Sequence, residues 1–109
     1  EEFFGGTYVD ANGKQIELLN EDIHMGELNH YISANSDAKY PIEWQIKVDK
    51  LAMDFNLKSA YPEQELALKF GPSNFYYWEG LCNAMGEIGG RKVKGNSYVE
   101  MTNRFRLKE

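Results

Sequence analysis

"IEWQIKVDKLAMDFNLK", residues 42–58, alternates apolar and polar side chains almost without a break. Ile42, Trp44, Ile46 and Val48 stand against Glu43, Gln45, Lys47 and Asp49, and Leu51, Met53, Phe55 and Leu57 against Ala52, Asp54, Asn56 and Lys58. Successive side chains on a strand point to opposite faces, so a two-residue period gives one dry and one wet side. A helix would need apolar spacings of three and four, which no long segment here offers. The two runs meet at Asp49-Lys50, a space that only a hairpin fits. This stretch therefore predicts antiparallel β-structure.

The pattern extends outward. Gln64, Leu66, Leu68 and Phe70 alternate with Glu65, Ala67 and Lys69, which predicts another strand with its leucines on the dry side. Asn12-Gly13 lies between Thr7-Tyr8-Val9 and Ile16-Glu17-Leu18, and Asn-Gly favours a type I′ hairpin with both residues at positive φ. Gly71-Pro72-Ser73 breaks the chain before an aromatic run, and Gly89-Gly90 reverses it afterwards. Segments near 3–9, 14–19, 22–33, 42–48, 51–58, 63–69, 75–87 and 91–103 are then eight predicted strands. Short turns between antiparallel strands predict an all-β, up-and-down barrel of about eight strands, a size that can enclose one small ligand.

Composition sets the bounds. The 109 residues suit a single domain spanning 1–109, and 42% hydrophobic with 27% charged residues is globular usage. A net charge of −5 argues against a nucleic-acid partner, which would want a basic face. No apolar run reaches the roughly 18 residues of a membrane-spanning helix. The opening Glu1-Glu2-Phe3-Phe4 has neither an initiator Met nor a signal peptide, as expected of a piece of something longer. The lone Cys82 cannot form an internal disulfide and reads as a small buried hydrophobe.

Between residues 75 and 103, two strands flank the glycine reversal. Tyr77, Glu79, Leu81, Asn83 and Met85 share one face of the first, and Tyr76, Trp78, Gly80, Cys82 and Ala84 the other. On the second, Tyr98, Glu100 and Thr102 fall together, opposite Val99 and Met101.

These elements carry a resemblance. "YYWEG" (76–80), "GEIGGRKVKG" (86–95) and "NSYVEMT" (96–102) resemble the C-terminal signature of the AttH and carotenoid 1,2-hydratase-like proteins, whose domains are lipocalin-like barrels. "YISANSDAKYPIEWQIKV" (31–48) is similar to that family's Trp-x-Ser, Tyr-Pro and Trp elements, with Tyr31 in place of the Trp and Ser33, Tyr40, Pro41 and Trp44 matching. "PEQELAL" (62–68) resembles its Asp-Gln-Glu-Leu piece. The likeness runs over about residues 5 to 103. Asn103-Arg104, followed by Phe105, stands where the motif ends in Gly-Tyr, and Ser97 where it has Gly. The resemblance implies a tandem pair of barrels, of which this chain is like the second. It implies as partners an apolar small molecule and a preceding barrel domain, or a second copy of the chain. Reactive pockets in the family involve the first barrel or the cleft, so no catalytic residue carries over. No cofactor is implied. The compartment stays open, a periplasmic setting being one that bacterial relatives allow.

Glu79 and Glu100 are the candidate catalytic groups. Either, kept protonated by desolvation, could protonate an alkene or hold a polar head group. The plainer alternative is a structural carboxylate that is buried and hydrogen-bonded to Tyr, Trp, Arg or backbone groups. Tyr77, Trp78, Tyr98 and Trp44, with both glutamates, are the candidate ligand-binding residues, placing any cavity between the Tyr77 and Tyr98 strands. Packing is the other reading of the aromatics, because large rings dominate small cores. His24 and His30 lack a third ligand, so no metal site is expected. Three functions follow: an apolar-ligand-binding barrel, a structural barrel packed on a partner, and a hydratase, isomerase or cyclase acting on a polyene.

Overall fold

A computed structural model describes residues 3–102. The strands are β1 (Gly6–Val9), β2 (Gln15–Leu18), β3 (His24–Ile32), β4 (Lys39–Val48), β5 (Met53–Ser59), β6 (Glu65–Phe70), β7 (Ser73–Ile88) and β8 (Arg91–Met101). Two single 3-10 turns, Asn20–Asp22 and Asp49–Leu51, interrupt them, and the described residues contain no α-helix. Every strand pairing is antiparallel. The all-β reading holds strand for strand, with ends shifted by a few residues; Asn103, which closed the last expected strand, lies outside the described residues.

The long β7 organises the sheet. One edge pairs along Trp78–Ile88 with β8, while the other carries β6 at its start (Phe70↔Ser73 to Glu65↔Trp78) and β5 at its end (Ser59↔Cys82 to Met53↔Ile88). Outward from β5 lie β4 and then β3. Among the described residues no ladder joins β8 to β3, so the six strands form an open sheet, and β1 and β2 make a separate hairpin.

The alternation of β4 and β5 works as the sequence predicts. Trp44 lies opposite Leu57, and Ile46 opposite Phe55, on one face. That face continues through Trp78 and Cys82 of β7 to Met101 of β8, and these side chains with Tyr40 and Ala38 form the buried core. Trp78, Cys82 and Ala38 have no exposed surface. Burial pushes the Cys82 thiol above its usual range. β6 departs from expectation: Leu66 and Leu68 pair with Tyr77 and Phe75 on the opposite, outer face and are 46% and 44% exposed. Its inward residue is Glu65, across from Trp78.

Turn chemistry explains the reversals. Gly89 and Gly90 sit at φ 58° and 82° between the paired Ile88 and Arg91, a two-residue hairpin whose left-handed backbone conformation costs glycine little. The first hairpin differs from the type I′ expectation, because Gly13 alone has positive φ (85°). Asp10 explains this. Its carboxylate accepts the Asn12 and Lys14 backbone N–H groups at 2.9 Å each, and its carbonyl accepts that of Gly13 at 3.0 Å. The side chain so holds a wider loop ending in one left-handed glycine.

Candidate functional site

The six residues singled out from sequence fall on two faces of the sheet. Trp44 (6% exposed) and Trp78 (0%) belong to the core face. Tyr77, Glu79, Tyr98 and Glu100 lie on the outer face, since Tyr77 pairs with Leu66, Glu79 with Glu100 and Leu81 with Tyr98. Glu79 is half-buried and Glu100 exposed, and neither carboxylate has a hydrogen bond or ion pair among the described residues. Arg104, a cation near Glu100 in sequence, lies outside those residues.

The buried-carboxylate chemistry expected of these glutamates occurs at Glu65 instead. Its Oε1 accepts the Ser33 hydroxyl at 2.6 Å, and its Oε2 accepts Ser36 at 2.5 Å and Tyr40 at 2.6 Å. Ser33 and Tyr40 are 2% and 1% exposed. The Tyr40 phenol is held well above its ordinary range by burial, and further by the Glu65 carboxylate; Ser36 opposes the shift. Three donors on one carboxylate satisfy an ion that would otherwise be costly beside Trp78. Ser33 also binds the loop, accepting the backbone N–H groups of Asn35 and Ser36 at 3.0 and 3.2 Å. The cluster thus fastens the 33–38 loop to the start of β6.

The Tyr-Trp-Glu-Gly run has a structural explanation of the same kind. Between the end of β5 and the start of β6, the edge of β7 has no strand partner at Glu79–Leu81, apart from the Ala60 N–H that donates to the Leu81 carbonyl at 2.9 Å. Gln64 fills the gap: its carbonyl accepts the Glu79 N–H at 3.2 Å, and its side-chain amide bonds both the N–H and the carbonyl of Leu81 at 2.9 and 3.1 Å. A Cβ on Gly80 would overlap that amide, so the glycine makes room for it. The Trp78 indole N–H meanwhile donates to the Pro62 carbonyl at 2.8 Å.

An apolar groove of about 460 Å³ opens elsewhere, between the β1–β2 hairpin and the far end of the core face. Tyr8 and Leu18 come from the hairpin; Ile46, Val48, Met53 and Phe55 come from the sheet. The lining side chains are apolar except for Thr7 and the Tyr8 hydroxyl; Lys94 borders the groove at Gly95, but its side chain, opposite Met85, belongs to the outer face. Met25 and Met53 face the groove, while Met85 stands on the outer face and Met101 is in the core. Lys50 anchors the hairpin, donating to the Glu17 carbonyl at 3.2 Å and pairing with Asp22 at 3.0 Å. Asp22 itself accepts the Leu19 N–H at 2.7 Å, and that bond, then Lys50, lowers its pKa. None of the six sequence candidates lines the groove. Its walls come from seven strands far apart in the chain, and no local pattern in the sequence marks it. Among the described residues no three potential metal ligands converge.

The profile of the AttH-like family matches residues 1–104. The chain belongs to the AttH-like family. Its fold is also that of kievitone hydratase from Nectria haematococca, with a TM-score of 0.73, 24% identity, and coverage of 93% of this chain and 30% of that one. A protein from Nitrosomonas europaea provisionally assigned to AttH superposes with a TM-score of 0.72 at 19% identity, over 94% of this chain and 30% of its own. At such identities the likeness establishes the lipocalin-like fold. This AttH-like chain spans about a third of the length of either neighbour. No curated protein sequence matches it. Among the described residues, no helix is long and apolar enough to cross a membrane.

Proposed function

We propose that this AttH-like chain is a lipocalin-like domain that holds an apolar small molecule, of isoprenoid, polyene or lipid-like character, in the groove beneath the β1–β2 hairpin, or supplies one wall of its site. The observation that carries this reading is the groove itself. It has the volume of small-molecule pockets, about 300–1,000 Å³, and almost no polar lining. Unbranched, polarizable Met25 and Met53 would adapt to ligands of different outline. Hydration of a ligand held there, the chemistry for which the Nectria neighbour is named, would need an acid from outside the groove, whose lining includes no carboxylate.

The test is a thermal-shift titration with retinol and with β-ionone. A ligand that binds only the folded state raises the melting temperature by mass action. Ala84→Phe, which puts a ring into the groove, should abolish the shift while leaving the protein folded. A shift unchanged in Ala84→Phe would refute the assignment.

A second reading, in which the outer face packs on a partner domain or subunit, draws on Leu81 (44% exposed) and Tyr98 (67%), which share that face with Leu66 and Leu68 across the Glu79–Glu100 pair. Exposed apolar groups gathered on one face are a common mark of an interaction surface. Sedimentation of wild type against Leu81→Lys/Tyr98→Lys tests it for self-association, where loss of a wild-type dimer would support contact through this face.

A further inference from the structure

On the β1–β2 hairpin Tyr8 pairs with Ile16 and Gly6 with Leu18, so Tyr8, Ile16 and Leu18 share one face. Leu18 is 8% exposed and lines the groove together with Tyr8, which marks that face as the one turned to the sheet. Thr7 borders the groove from the hairpin's other face, where it pairs with the exposed Glu17. Of the polar side chains around the opening, only the Tyr8 phenol therefore looks inward. Among the described residues its hydroxyl has no hydrogen-bond partner. No buried side-chain oxygen among them lacks one, so this oxygen is accessible rather than sealed in. Tyr40 makes the contrast: its phenol is buried and committed to Glu65 at 2.6 Å.

On the reading that the groove is a ligand site, we infer that its ligand carries a neutral oxygen, a carbonyl or a hydroxyl, on an apolar body, and that the Tyr8 phenol donates a hydrogen bond to it. The body displaces water from the Ile46, Val48 and Phe55 surface, which drives binding. A pure hydrocarbon would strip the phenol of water and give it no acceptor in return, which costs free energy. An anionic head would meet no cation among the inward side chains, and its desolvation would be costlier still. The hydrogen bond thus selects a neutral, singly oxygenated ligand and turns its polar end toward the hairpin.

The experiment compares limonene, carveol and carvone, one isoprenoid skeleton bearing no oxygen, a hydroxyl and a carbonyl, by calorimetry on wild type and Tyr8→Phe. The substitution removes one oxygen and keeps the ring, and matching melting temperatures of the free proteins check that the hairpin is undisturbed. Tyr8→Phe should weaken carvone and carveol binding by about two- to tenfold, the worth of one neutral hydrogen bond. Limonene affinity should stay as it was or rise slightly. In infrared spectra the carbonyl stretch of bound carvone should lie at lower frequency in wild type than in Tyr8→Phe. A carvone affinity unchanged by the substitution, or equal weakening of all three ligands, would overturn the inference while leaving the groove as a site. Binding of none of the three by wild type would overturn the groove reading with it.

Discussion

Tyr40 donates its hydroxyl to Glu65 at 2.6 Å, although 25 residues separate the two in sequence. The bond ties the start of β4 to the start of β6, and Ser33 and Ser36 complete the shell around the same carboxylate. Removing the acceptor leaves three hydroxyls unsatisfied, two of them on buried residues. Glu65→Ala should therefore cost about 2–3 kcal/mol in urea unfolding. Glu65→Gln, which keeps an acceptor oxygen, should cost less. Equal losses in the two variants would mean that packing, not hydrogen bonding, sets the role of Glu65.

The same bond predicts a pH dependence. Because Tyr40 holds its proton more tightly folded than unfolded, the unfolded chain releases it first, near the ordinary value of 10.0. The stabilisation is complete below about pH 10 and falls as pH rises beyond it. Urea midpoints measured from about pH 8 to 11 should decline more steeply for wild type than for Tyr40→Phe, which has no phenol to ionise. Parallel declines would show that Tyr40 does not carry the effect.

Glu79 and Glu100 face each other directly across β7 and β8. Like charges in that position repel, and with no donor to either among the described residues they weaken the ladder. Glu100→Lys should therefore stabilise the protein by about 0.2–1 kcal/mol in chemical denaturation. A loss of stability in this variant would indicate that the glutamate pair has a partner that the described residues do not supply.

Gly86 lies opposite Phe55, where a Cβ would run into the Asp54 carbonyl and the Phe55 backbone. A backbone cannot step aside as a side-chain end can. Gly86→Ala should cost about 1–3 kcal/mol, the usual effect of overpacking, while Gly95→Ala one strand away, with open space at its Cβ, should be close to neutral. Both are read from thermal unfolding monitored by circular dichroism.

What was legible in the sequence follows from where the physics is local. Residues 42–58 announce β4 and β5 because both strands lie inside the sheet with one face in the core, so each position is decided by its immediate alternation. β6 misleads by the same rule. Its leucines look inward until three hydroxyls from residues 33–40 converge on Glu65 and make the carboxylate acceptable there. The elements Ser33, Tyr40 and "QEL" were visible as a family likeness, but their meeting is a tertiary fact. Asn12-Gly13 suggested a tight turn because pair statistics omit the neighbouring Asp10, whose side chain widens it. The groove was beyond reach altogether, since a hairpin docking on a distant sheet leaves no periodic trace.

The central claim, that the groove beneath the hairpin is the ligand site, is tested most directly by the methionine methyl groups. With 13C-methyl methionine and NMR, β-ionone titrated into the protein should shift the Met25 and Met53 resonances in a saturable way, while that of Met101, in the core, stays in place. Shifts absent from Met25 and Met53 at saturating β-ionone, or confined to Met101, would contradict it.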